Sequence, residues 1–177
     1  MSGDVVATAL PPIHDGAQCG LQSPLSVTAV RANGREIPLS APATIDCGMA
    51  TVLPQWAEAV DSWLMAVENT QLASIDAGTS YMCRNVNNAN EGNLSFHAFG
   101  DALDVSGFTL EDGRRISVLT AWPGTVEAGS KIVRYAHDAA CSLFTTVLGP
   151  EANALHADHL HLDLGCHGTR CIARLCE

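Results

Sequence analysis

Positive charge is scarce in this chain. Nine Lys and Arg stand against 19 Asp and Glu in 177 residues, a formal net charge of −10. That sign is wrong for tracking a phosphate backbone, so nucleic acid is excluded as the expected partner. Long apolar runs are missing as well: no window approaches the roughly 18 to 20 residues of a membrane-spanning helix. The start, Met1-Ser2-Gly3-Asp4, has neither the basic nor the apolar stretch of a secretory signal. No His-Glu-x-x-His occurs, which excludes a helix-borne glutamate base beside a metal. No Gly-x-Ser-x-Gly elbow occurs either, so the usual setting of an activated serine is absent. Neither an internal repeat nor a low-complexity tract is visible.

What remains is a globular composition: 47% apolar and 16% charged residues, with 15 Gly and 8 Pro spread along the chain. The length fits one domain with its own core. Seven cysteines, at 19, 47, 83, 141, 166, 171 and 176, are many for a reducing compartment and are widely spaced. They predict at least two disulfides and an exported protein, periplasmic or secreted, with Met1 standing where a signal peptide has been removed. The odd count leaves one thiol unpaired, and spacing does not select the pairing. Cys166, Cys171 and Cys176, with His167 among them, also allow a structural zinc cluster, although disulfides fit an oxidising compartment better.

Local patterns predict an α+β domain. Residues 1–45 read as an extended N-terminal segment packed on the rest, with a hairpin at Asn33-Gly34. Residues 46–177 read as the main body of the fold, the whole forming one globular unit. Pro54 opens a helical stripe of Trp56, Val60, Trp63, Leu64 and Val67. A strand follows at Leu72 to Ala77, then an Asn-rich loop over 85–93. Gly100 to Phe108 and Arg115 to Trp122 read as a hairpin around Glu111-Asp112-Gly113. A second amphipathic helix is expected from Ile132 to Val147, ending near Gly149-Pro150. His159 to Leu164 alternates strictly: His159, His161 and Asp163 share one face, and three leucines share the other.

The chemistry concentrates in two segments, Ser95 to Asp104 and His156 to Asp163. Imidazole and carboxylate are the ligands a catalytic zinc takes, usually three from protein with one position open. His97 and Asp104 can meet one ion if a turn precedes a strand, and small Gly100 and Ala102 would let the backbone pass close beside it. The second segment offers the third ligand. Each segment alone also fits ordinary surface or core histidines. Together they are harder to explain that way, because a histidine on a partly buried strand face needs a polar partner.

Ser95-x-His97-x-x-Gly100-x-Ala102-x-Asp104 followed by His159-x-His161 resembles the signature of zinc peptidases that include lysostaphin-type endopeptidases, D-Ala-D-Ala metallopeptidases and the hedgehog domain. More narrowly, the chain resembles the bacterial extensin-like C-terminal domain from Cys19 to its end. Matching stretches include Ser80 to Arg84, His97 to Phe108, Asp112 to Val118, Val147 to Pro150 and His156 to Leu164. The resemblance implies a small antiparallel sheet with helices packed on it and one zinc per chain on the sheet face. It implies His97, Asp104 and His161 as the ligands, with His159 as the acid–base group beside the reacting water. His156 would contact the substrate or support the ligands. Arg84 would bind a substrate carboxylate or the developing oxyanion, where the plain alternative is a surface salt bridge. The implied activity is cleavage of an amide in peptidoglycan stem or cross-link peptides, of endopeptidase or carboxypeptidase type. The alternative is a non-catalytic zinc-containing module that docks to an envelope partner, since the same scaffold serves binding as well as turnover. Neither bond choice nor oligomeric state is legible. One position departs from the pattern: Phe96 stands where the family's glutamate precedes the first ligand.

Overall fold

A computed structural model describes residues 4–16, 18–124 and 127–177; Met1 to Gly3, on which the reading of the chain start rests, lie outside the described residues. The elements run β1 (Val5–Ala9), β2 (Ile13–Asp15), β3 (Cys19–Leu21), β4 (Leu25–Ala32), β5 (Arg35–Ile45) and α1 (Cys47–Trp63). After them come β6 (Leu72–Ala77), β7 (Ala102–Leu110), β8 (Arg115–Ser117), α2 (Val118–Ala121), α3 (Ala128–Leu143), β9 (Thr146–Leu148), β10 (Leu160–Asp163) and β11 (Leu175–Cys176). The class is α+β, but the sheet is not small. Nine strands hydrogen-bond in the order β1-β4-β5-β6-β7-β10-β9-β11, with β8 added to β7. Only the β5–β6 and β9–β11 pairs are parallel. The extended N-terminal segment therefore supplies β1, β4 and β5 to that sheet, which is why it exceeds the expected size.

Asn33 and Gly34 both take positive φ, 50° and 74°, the backbone that a two-residue hairpin turn demands. They join β4 to β5 as the sequence predicts. The first helix begins earlier than Pro54. Asp46 caps it, its Oδ1 accepting from the Met49 N–H at 2.7 Å, so a side-chain acceptor sets the start and Pro54 lies inside. Met49, Leu53, Trp56, Ala57, Val60 and Leu64 are buried on its inner side. Val67 is not. The chain widens into a π-turn over Leu64–Glu68, which adds residues per turn and rotates Val67 away from the core to 55% exposure.

Two further corrections have a common cause. Arg115 to Trp122 is a strand only as far as Ser117; Val118 and Trp122 are both buried, four apart, across the helical turn α2. The second long helix stops at Leu143, because Phe144 adopts extended dihedrals and the chain turns into β9 beside β10. In both places the apolar spacing satisfies the helical and the strand period at once. The helices α1 and α3 cross over the inner face of the sheet, where the Trp56 indole N–H donates to the Ala136 carbonyl at 2.8 Å and its ring lies 5.9 Å from that of Phe108. No helix among the described residues is long and apolar enough to cross a membrane.

Three disulfides close the molecule: Cys19–Cys83, Cys141–Cys176 and Cys166–Cys171. They point to an oxidising, extracytoplasmic environment. They also use all three C-terminal cysteines, so the zinc cluster considered there does not form. His137 lies near Cys141 and Cys176, but both sulfurs are spent on each other. Cys47, exposed, is the free thiol. Peptide mapping without reductant should recover these three bridges with Cys47 alone alkylated. Replacing Cys19 and Cys83 together by Ser should lower unfolding free energy by about 2–4 kcal/mol in denaturant titrations, because that bridge closes the longest loop.

Candidate metal centre

Each ligand-type side chain is held by a different element. His97 sits in a short 3-10 turn, Phe96–Phe99, whose start is capped by Ser95: its hydroxyl accepts from the His97 N–H. The turn is closed by Gly100 at φ 69°. A Cβ there would fall 2.4 Å from a Leu21 methyl. Gly100 thus serves the turn and its packing on β3, a correction to the expectation that it makes room beside the metal. Asp104 lies on β7 and His161 on β10, directly opposite in an antiparallel register. Their neighbours Leu103, Val105, Leu160 and Leu162 are fully buried in the core on the other face.

The three polar atoms converge. His97 Nε2 is 3.1 Å from His161 Nδ1 and 3.2 Å from Asp104 Oδ1, and His161 Nδ1 is 3.0 Å from the same oxygen. Tetrahedral coordination with bonds of about 2.0–2.1 Å sets ligand atoms about 3.3 Å apart. Hydrogen bonds on the far sides fix the tautomers. The His97 Nδ1–H donates to the Ser80 carbonyl at 2.6 Å, and the His161 Nε2–H donates to Asp163 Oδ2 at 2.8 Å. Both inward nitrogens of the neutral rings therefore carry lone pairs, aimed at each other and at a carboxylate oxygen. All three residues are buried. Buried lone pairs packed this closely need a cation among them, and this donor set suits zinc. In the bare protein a proton fills that role: burial opposes it, but bonds to Asp104 and Asp163 outweigh burial and raise His161 to about 9. Burial likewise raises the Asp104 carboxyl, and the bonds from His161 and His97 overcome it, leaving Asp104 well below the usual carboxylate range.

His159 stands beside this trio, its Nε2 3.6 Å from Asp104 Oδ1. Its Nδ1–H donates to Asp158 at 2.8 Å, which leaves Nε2 free to accept. His156 ends a 3-10 turn with Asn153 Oδ1 3.0 Å from its Nδ1. Burial, then the neighbouring His159 and His161, press its pKa down to about 4, so the ring is neutral near pH 7. Arg84 reaches only the Asn85 carbonyl, at 3.5 Å, and makes no ion pair among the described residues. The salt-bridge alternative for Arg84 is thus not what the structure shows. Arg84 lines the same cavity as Asp104, His156 and His159.

A family model described as "Extensin-like protein C-terminus" matches residues 2–177. The chain belongs to the extensin-like C-terminal family. No curated protein and no solved structure matches it significantly. Phe96, the departure from the family pattern, packs its ring edge-on to His167 at 5.7 Å and against Gly165, where a Cβ would meet the ring at 2.1 Å. Sequence reasoning missed the far-side partners. The Ser80 carbonyl carries no side-chain signal at all. Asp163 shows in the sequence only as a residue sharing the His161 face, and nothing in the pattern marks Asp158 as the residue that orients His159.

A further acidic group lies behind the site. Burial first, and then the charges of Asp46 and Asp163, raise the Asp101 carboxyl to about 7 from its ordinary 3.8. The folded protein keeps this proton between about pH 4 and 7 while the unfolded chain has lost it, so stability falls as pH rises through that window. Asp101→Asn should therefore melt higher than the parent at pH 8, by on the order of 1–2 kcal/mol after allowance for solvent screening of a part-exposed group, with no gain at pH 4. Equal gains at both pH values would show that charge is not the cause. Zinc titrated into the metal-free protein should be taken up at about one ion per chain, and Asp104→Ala should abolish that uptake while far-ultraviolet circular dichroism stays that of the parent.

Proposed function

We propose that this extensin-like domain is an exported zinc peptidase that hydrolyses an amide in peptidoglycan stem or cross-link peptides. The observation that carries the reading is the convergence of His97 Nε2, Asp104 Oδ1 and His161 Nδ1 within 3.2 Å, their lone pairs held inward by the Ser80 carbonyl and Asp163. A zinc ion bound there would polarise the scissile carbonyl and make water a nucleophile near neutral pH. The rest of the chemistry belongs to side chains of the chain. Asp158 holds His159 in the tautomer whose Nε2 accepts, so His159 takes the proton of the attacking water and returns it to the leaving nitrogen. Neutral His156 packs its ring 5.2 Å from His159, limiting the positions that ring can adopt. Arg84, free of a carboxylate partner, faces negative charge on the substrate: the oxygen developing at the cleaved carbonyl or a nearby carboxylate. Asp163 and Ser80 orient the ligands and raise their basicity.

Digestion of purified muropeptides, read by mass spectrometry, tests this. A mass change that disappears with chelator and returns with zinc is expected. His159→Ala should retain its zinc and lose about 10²- to 10⁴-fold in turnover. A zinc-loaded parent that leaves every muropeptide intact would instead support the module that binds an envelope partner without turnover.

A further inference from the structure

The ground in front of the centre is a channel with two ways out. A cavity of about 340 Å³ holds Asp104 and His159. It meets a second, of about 170 Å³, at Arg84, Asn87 and His156. It meets a third, of about 270 Å³, at Thr79, Asp104 and His159. The two outer cavities have no wall residue in common, so the three lie in line with the centre between the ends.

The strands explain the direction. His161 pairs with Asp104 and Asp163 with Ala102, and by the same register His159 comes level with Ser106. Asp163 lines one outer cavity, while Ser106 and His159 line the other. Two residues of strand advance about 6.7 Å, so His159 to Asp163 covers about 13 Å, the length of an extended tetrapeptide. One end continues between Phe96, Leu148 and Leu175, and the other past Gly78 and Asp158. Arg84 lines the cavity of about 170 Å³ as well as the middle one, and no Lys or Arg lines the opposite cavity among the described residues. Room for peptide therefore lies on both sides of the centre.

We propose that the substrate of this site is a peptide that runs through it, with residues bound on both sides of an internal amide, as in a cross-link between two stems. The proposal rests on the peptidase reading above and makes the domain an endopeptidase. Water adds to the amide carbon, the C–N bond breaks, and the leaving nitrogen takes the proton, giving one acid and one amine without any oxidant or reductant.

Calorimetry on the chelator-treated protein, with a cross-linked muropeptide dimer and an uncross-linked pentapeptide monomer, measures occupancy independently of turnover. The dimer should bind at least about tenfold more tightly. Ser106→Trp and Leu175→Trp, exposed positions at opposite ends, should each weaken dimer binding by about tenfold, and only one of them should affect the monomer. With zinc restored, the dimer should split while the monomer keeps its terminal residue. Equal binding of the two, or loss of the terminal residue from the monomer, would overturn the through-running substrate and leave the peptidase reading standing. No binding and no cleavage of either would remove both.

Discussion

The pairing of β7 with β10 is the constraint on which the candidate centre depends. In that register Asp104 faces His161 on the outer surface, while Leu103, Val105, Leu160 and Leu162 face the core. Side chains alternate along a strand, so a slip of β10 by one residue would turn His161 into the core and expose Leu160 and Leu162. Hydrophobic burial therefore sets the alignment of the polar atoms. The core under this strand pair is sealed by α1 and α3, and the same burial that locks the register lowers the local dielectric around the trio.

That environment explains why the polar groups form a connected set. Asp104 accepts from protonated His161 and lies 3.2 Å from His97 Nε2, His161 donates to Asp163, Asp163 also accepts from the Gly165 N–H, and His97 donates to the Ser80 carbonyl. Each bond satisfies a group that would otherwise be desolvated without a partner. His159, less buried and tied only to Asp158, keeps a nitrogen in reach of the cavity. A rigid trio beside a more accessible imidazole is the division of labour that the proposed hydrolytic reading requires.

Much of this was legible in the chain before any coordinates. The alternation of His159, His161 and Asp163 with three leucines marks a strand with one polar face. The Ser95 to Asp104 segment meets the condition its spacing set, a short turn over Phe96–Phe99 followed by β7. Where reading failed, the periods were degenerate: Val118 to Trp122 and Phe144 to Val147 are spaced to suit helix or strand, and only their neighbours choose. The helix α1 starts at its cap, Asp46, and not at Pro54, because a side-chain capping bond to the Met49 N–H stabilises a helix start more than a favourable φ does.

By itself the sequence determined the class of the fold, the hairpin at Asn33-Gly34, an oxidising environment and the two His- and Asp-bearing segments that meet at the centre. These depend on residue type and short spacing, which a chain carries locally. Tertiary structure decided which cysteines pair, that Cys47 is left over, that β1, β4 and β5 enlarge the main sheet, and that three cavities adjoin one another around Arg84, Asp104, His156 and His159. It also decided that a backbone carbonyl and two aspartates hold the imidazoles in place. Those outcomes depend on which distant segments meet, and distance along a chain does not encode distance in space.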